Sequence, residues 1–271
     1  MRILYLFILT FLGLFSFGQS NEKASVYLIG TVHDSSSVLT PKMLFAILDE
    51  IRPDVLLQEN DSKQIAEYTK EIRPTSNEQT ATLQYIKKYP QTLNLPFEFE
   101  GRNQFRLDHG MVPTDALTIR LIDSLYKEKA LQPENMKIYA KYLEANHALK
   151  AFAKTDIETL NGVVFENLNR YRQNIQHHEV PKISNSEPLF LTRYVTKPDG
   201  EKISYREGYQ LWCNFWDLRN NSMAINILRH ANEHKGKRIV VLTGVQHKYY
   251  LKELLSKYAD GSYELLEYFN R

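Results

Sequence analysis

The stretch "VYLIGTVHD", Val26 to Asp34, runs through apolar residues that suit a buried strand, breaks at Gly30 and places His33 three residues later. Two hundred residues on, "IVVLTGVQHK", Ile239 to Lys248, repeats the plan: an apolar strand, Gly244, two spacers and His247. Each glycine has a local reason, since the chain must turn sharply at a strand end. A residue without Cβ takes positive φ freely or lets a ligand approach the backbone. Each histidine then lands near a turn or a helix start, where the helix dipole disfavours imidazolium and keeps the ring neutral, the form that ligates metal or accepts a proton.

Working outward from the first word, Thr40-Pro41 reads as a capping residue followed by proline at the first helical position. Leu44, Ile47, Leu48 and Ile51 then fall at helical spacing, and Pro53 ends the element before a second apolar strand, Val55 to Leu57, which closes on Gln58-Glu59-Asn60. This βαβ unit implies parallel pairing. In "LPFEFEGR", Phe97 and Phe99 alternate with Glu98 and Glu100 as in a half-exposed strand, and Pro96 suggests an edge. The pattern from Asp115 to about His178 is helical, and "TRYVTKPDGEKISY" reads as a hairpin turned by Pro198-Asp199-Gly200. A long helix beginning near Arg206 carries Trp212, Trp216, Arg219, Met223, Ile227 and His230 on one stripe. "KRIVVLTG" gives a buried strand, "QHKYYLKELLSKY" an amphipathic helix and "YELLEYF" a last strand. The predicted architecture is α/β: a central mostly parallel or mixed sheet flanked by helices, with a helical insertion over about 103–205 and a small hairpin. Residues 21–271 form a single domain in this reading.

The first twenty residues, "MRILYLFILTFLGLFSFGQS", combine Arg2 with a nearly continuous apolar run and read as an export signal or an N-terminal anchor. The expected location is periplasmic or secreted, with membrane contact only through that segment. Lys plus Arg total 34 against 32 Asp plus Glu, a formal charge of +2 with no long basic block, which argues against nucleic acid as a partner. Cys213, the sole cysteine, permits no intramolecular disulfide and sits in "LWCNFW", the setting of a small buried hydrophobe.

In open α/β sheets ligands bind beyond the carboxyl ends of the strands. His33 follows the first strand, Glu59 the second, Glu100 and Arg102 the third, and His247 the late one. Two histidines and a carboxylate, His33, Glu59 and His247, are a common ligand set for a catalytic divalent ion. Glu59 has a second reading as a helix-start carboxylate, and Glu100 is either a proton carrier or a solvated strand residue. Arg219, flanked by Trp216 and Met223, should snorkel outward or pair with a buried carboxylate, from where it orients Glu59 or stabilises an oxyanion. His109, His147, His177, His178, His230 and His234 lie in polar or helical contexts read as lacking ligand spacing, with surface or helix-end roles expected; "DHG" at Asp108 to Gly110 is the one exception to test. Gly-x-Gly-x-x-Gly, a phosphate-cradling loop, His-Glu-x-x-His and Gly-x-Ser-x-Gly are all missing, which disfavours nucleotide binding and serine hydrolysis.

"LIGTVH", "PDVLLQEN" and "DLRNNSMAINILRHANEHKGKRIVVLTGVQHKYYLKELL" together resemble the TraB/PrgY/GumN and Tiki family. That family is marked by two Gly-x-x-His words, an acidic residue ending the second strand and an Arg-Asn or Arg-Asp pair ahead of a final strand. The matching positions are Gly30 and His33, Glu59, Arg219 and Asn220, and Gly244 and His247; the middle, roughly Asp61 to Tyr205, carries no resemblance, and "QEND" stands where a Glu-Leu-Asp ending is frequent. The resemblance implies the mixed α/β fold shared with erythromycin esterases and ChaN-like haem-binding proteins. It also implies a metal-dependent hydrolase of peptide or small-molecule ester substrates, using a divalent ion such as manganese, cobalt or zinc, with Asn220 added to the site. The esterase relatives suggest a metal-free variant in which a histidine itself activates water. The ChaN-like relatives suggest the other alternative, a non-catalytic protein holding haem or a peptide in the same crevice.

Overall fold

The computed structural model describes residues 22–71 and 74–269; the expected export signal or anchor at residues 1–20 lies outside them. The chain runs through β1 (Ala24–Thr31), α1 (Pro41–Ile51), β2 (Val55–Gln58), α2 (Ser62–Glu71), α3 (Asn77–Lys88) and β3 (Leu93–Pro96). A helical stretch follows, with α4 (Arg102–Asp108), α5 (Met111–Lys127), α6 (Pro133–Phe152), α7 (Ile157–Asn161), α8 (Val163–Asn174), a π-helical turn, α9 (Val180–Ser186) and α10 (Leu189–Thr192). It closes with the hairpin β4 (Tyr194–Thr196) and β5 (Lys202–Ser204), then α11 (Tyr205–Glu233), β6 (Arg238–Gly244), α12 (Val245–Lys257) and β7 (Tyr263–Leu266).

The five long strands form one parallel sheet in the order β3-β2-β6-β1-β7. The fold is therefore α/β, with the expected antiparallel hairpin as a separate small sheet. Each central strand is buried on both faces, which is why it reads as a continuous apolar run. Val26, Leu28, Val55, Leu57, Ile239 and Val241 point one way, against Met223, Ala224 and Ile227 of α11 and Leu251, Leu254 and Leu255 of α12. Ile29, Leu56, Val240 and Leu242 point the other way, against Leu44, Ile47, Leu48 and Ile51 of α1 and Ala81 and Tyr85 of α3. The helical insertion has a core of its own, in which Ile122, Tyr139, Ile175, Ile183 and Phe190 enclose Tyr209 and Cys213 on the amino-terminal half of α11. Ser204 starts α11 with a reciprocal capping box to Glu207. No helix among the described residues is long and apolar enough to cross a membrane.

Two details shape the site. The expected βαβ unit is parallel, but its strands are not neighbours: β6 lies between β1 and β2, with Thr31 beside Gly244 and Gln58 beside Leu242. The second Gly-x-x-His word is thereby inserted between the first word and Glu59. At the edge, β3 ends at Pro96, as a residue without N–H permits there. The expected alternation through Phe99 fails because the chain leaves the sheet after Pro96. Phe97 and Glu98 are both buried, whereas Glu100 is exposed.

Candidate functional site

Arg219 stands at the centre of the carboxyl end of the sheet and is paired rather than snorkelled. Its Nε donates to Glu98 Oε1 (2.9 Å), and its Nη2 donates to Glu98 Oε2 (2.5 Å) and to Glu59 Oε1 (2.6 Å). Its Nη1 donates to Nε2 of His247 (2.7 Å), so that ring carries its proton on Nδ1 and gives it to Asn220 Oδ1 (2.8 Å). The amide of Asn220 is held in turn by Trp216 O (2.7 Å), and Trp216 stacks on His247 at 4.4 Å between ring centres. Every polar atom of the His247 ring is thus engaged. Burial first, then the Arg219 charge, push its pKa down to about 3. That agrees with the neutral ring expected near a helix start, since His247 lies in the first turn of α12.

Glu59 is equally fixed. Its Oε2 accepts from Thr243 Oγ1 (2.7 Å) and from the Gly244 N–H (2.7 Å). Burial opposes its ionisation. The positive charges that His247, when protonated, and Arg219 bring, with the Gly244 and Thr243 donors, outweigh that and hold the carboxyl well below the usual carboxylate range.

His33 has the opposite surroundings. Its ring lies in the loop after β1, largely exposed, with Nδ1 3.0 Å from Glu78 Oε1. The hydrogen bond to Glu78 raises its pKa above 6.5 against the effect of burial, so the neutralising helix-start environment expected for His33 is not found. Asn77 supports this arrangement: its N–H donates to His33 O (2.9 Å), and its side-chain amide donates to the carbonyls of Val32 (2.8 Å) and Asp34 (3.0 Å). Glu78 was not identified from the sequence, because only the fold brings the start of α3 to this loop.

The two imidazoles and Glu59 do converge. A Cβ placed on Gly244 would lie 3.6 Å from Glu59 Oε2, 3.7 Å from His33 Nε2 and 3.9 Å from His247 Cδ2. Glycine keeps this hollow open by its missing side chain rather than by positive φ, for Gly244 has φ −55°. Gly30 follows the same rule: a Cβ there would stand 3.1 Å from Asn161 Oδ1, which accepts the Gly30 N–H at 2.8 Å. The hollow opens into a cavity of about 400 Å³ lined by His33, Glu59, Arg102, Arg219 and His247. Beside it lie a polar recess of about 250 Å³, next to Glu78 and Gln79, and an aromatic recess of about 230 Å³, between Trp212, Phe215, Trp216 and Arg106. Arg102 lines all three. Its Nη1 donates to Glu98 Oε2 (2.9 Å).

Several expected residues lie elsewhere. Glu100 accepts from Ser62 N–H (3.1 Å) and Oγ (2.6 Å) at the start of α2 and lines none of these recesses, so the expected proton carrier is a helix-end carboxylate. Glu98, two residues earlier, is the third-strand acid that reaches the site. His109 of the "DHG" stretch bonds to Phe105 O (2.8 Å) and stacks on the Phe105 ring, outside the cavity. His177, expected at a surface or helix end, is buried against Trp216 (4.8 Å) in the aromatic recess, and burial followed by the Arg172 charge pushes it down to about 2. Cys213 is buried as expected, and burial raises its thiol pKa.

The expected divalent-ion set, His33, Glu59 and His247, does not fit an ion in this arrangement. His247 Nε2 receives Arg219, Glu59 has both oxygens occupied, and a guanidinium stands where a second cation would need to be. Of the four ring nitrogens of His33 and His247, His33 Nε2 alone is without a protein partner among the described residues, and it faces the hollow. In comparisons with known proteins no family model, no curated protein and no solved structure matches the chain.

Proposed function

We propose that the protein is an exported hydrolase of peptide or ester bonds, of the TraB/Tiki kind, in which His33 rather than a metal ion activates water. The observation that carries this reading is the asymmetry of His33: Nδ1 is held by the buried carboxylate of Glu78 at 3.0 Å, while Nε2 faces the hollow over Gly244. A carboxylate behind an imidazole fixes its tautomer and stabilises the imidazolium that forms when the other nitrogen takes a proton.

Water lying over Gly244 gives its proton to His33 Nε2 as its oxygen attacks the substrate carbonyl. The negative oxygen that results faces Arg102, which has donors not used by Glu98. The carbonyl then re-forms, the bond to the leaving nitrogen or oxygen breaks, and His33 returns the proton to that atom. Arg219, Glu59, Glu98, His247 and Asn220 act as positioning residues: the guanidinium spends its donors on its neighbours and keeps the floor of the cavity rigid. The aromatic and polar recesses on either side suit an extended substrate with one apolar and one polar arm.

The test is turnover of a panel of peptides and esters by the purified protein, run with and without a chelator, and repeated with His33→Ala. Hydrolysis that survives the chelator and is lost in the folded variant supports the reading. No turnover anywhere on the panel, or turnover that His33→Ala leaves unchanged, contradicts it, and a protein that binds a peptide or haem without turnover supports the sequestering alternative.

A further inference from the structure

At the far end of α11 from the insertion, a second group of histidines stands apart from the cavity. His230, Glu233 and His234 present one nitrogen or oxygen atom each, all within 4.8 Å of one another. The spacing of three and four residues puts them on one face of the last helical turn, so His230 and His234, expected from the sequence to lack ligand spacing, do have it. The two rings lie nearly parallel, 14° apart, with centres separated by 6.2 Å.

His230 shows what this group lacks. Its residue is 6% exposed, and Nε2 lies 3.0 Å from Pro96 O. A carbonyl only accepts, so Nε2 carries the hydrogen and the neutral ring has its lone pair on Nδ1. That buried Nδ1 has no hydrogen-bond partner among the described residues and faces Glu233 Oε2 at 3.4 Å, one acceptor against another. A cation between them resolves the conflict. An imidazole whose second N–H is fixed by a backbone carbonyl is also the usual state of a metal-bound histidine. The carboxyl end of a helix favours positive charge further.

We infer that His230, Glu233 and His234 form a binding site for a borderline divalent cation such as Zn²⁺, which fastens the end of α11 to the edge strand β3. Two imidazoles and one carboxylate favour such an ion over magnesium or calcium, which take oxygen ligands. The site bears on the cavity through the chain: Pro96 precedes Glu98 by two residues, and Asn226, one helical turn before His230, donates to Phe97 O (3.1 Å) and Glu98 O (3.2 Å). Holding α11 against β3 therefore steadies the segment that carries the Glu98 carboxylate to Arg219.

The test is calorimetric titration of the full chain with ZnCl₂, together with thermal melts with and without the metal. Wild type and His33→Ala should bind one equivalent with equal affinity, and both should melt higher in Zn²⁺. His234→Ala and Glu233→Gln change partly exposed or exposed side chains, so both variants should fold. His234→Ala should weaken binding at least about tenfold and abolish the melting shift, as expected when one of three ligands is lost. Absence of saturable Zn²⁺ binding, equal affinity in His234→Ala and wild type, or an equal melting shift with Mg²⁺ would overturn the assignment. Loss of binding in His33→Ala instead would move the ion to the cavity.

Discussion

His33 and His247 follow glycine at the same distance, at the ends of two paired strands, and face the same hollow over Gly244. The side chain of His33 is 61% exposed and bonded to an acid, whereas that of His247 is 7% exposed and bonded to a guanidinium. One ring is shifted toward taking a proton and the other held away from it. A motif fixes where a histidine stands, but its proton affinity is set by what the rest of the fold brings to its ring, here Glu78 from α3 and Arg219 from α11. In our reading the first ring transfers protons and the second is part of the wall.

The strongest way to break this contrast is Arg219→Ala. Without the guanidinium, Glu59 becomes a buried carboxylate with no arginine beside it and Glu98 keeps only Arg102, a loss of about 3–5 kcal/mol of stability readable in a urea unfolding curve. Arg219→Lys should recover only part, because an ammonium does not reproduce the fork that meets two carboxylates and an imidazole. An unchanged midpoint in Arg219→Ala would show that the network contributes little.

On the other side of the comparison, His33→Ala should lower turnover by about a hundred- to ten-thousandfold, the span of a general base, with an unfolding midpoint close to wild type. A variant that unfolds early would make His33 a structural residue instead.

Acid sharpens the contrast through stability. His247 is neutral in the folded state down to about pH 3, whereas an unfolded histidine takes its proton near 6.5. The folded state is therefore penalised progressively as pH falls through that window, by a few kcal/mol at most. Glu59, with its lowered value, adds a loss below its ordinary 4.5. His33 acts with the opposite sign: its bond to Glu78 stabilises the fold at low pH, and that contribution fades as pH rises through its raised value. Urea midpoints measured from pH 7 down to 4 should fall, and a flat profile would contradict the buried neutral state of His247.

Smaller effects are expected from two further changes. Gly244→Ala meets only ordinary contact distances and should fold, yet its methyl group occupies the space between Glu59, His33 and His247 and should cut turnover about tenfold through misplacement of water. Glu78→Gln keeps an acceptor behind His33 but removes the carboxylate charge that helps raise it, so the rising limb of the rate against pH should move to lower pH. Unmoved limbs would dissociate Glu78 from the base.

Much of this site is legible because strand-end residues converge when strands are parallel neighbours: the two Gly-x-x-His words mark His33 and His247, the end of the second strand marks Glu59, and Arg219 stands out by its position on an apolar stripe. Three features were not legible, each for its own reason. Alternation along "LPFEFEGR" extends the strand through Phe99 and makes Glu100 its end residue, but the chain leaves the sheet after Pro96, turning Glu98 inward to Arg219 and Arg102. Glu78 sits in a polar helix start with nothing local to mark it, and only Asn77 tying the His33 loop to α3 brings it into place. The order of the sheet, with β6 between β1 and β2, depends on a pairing across two hundred residues that no local pattern encodes.

The most direct test of the central claim is an NMR titration of the imidazole signals of His33 and His247, assigned by comparison with the His33→Ala variant. The account predicts that His33 titrates above pH 6.5 and that His247 keeps its neutral Nδ1–H form throughout the range in which the protein stays folded. Two rings titrating together near 6.5, or His247 above His33, would contradict it.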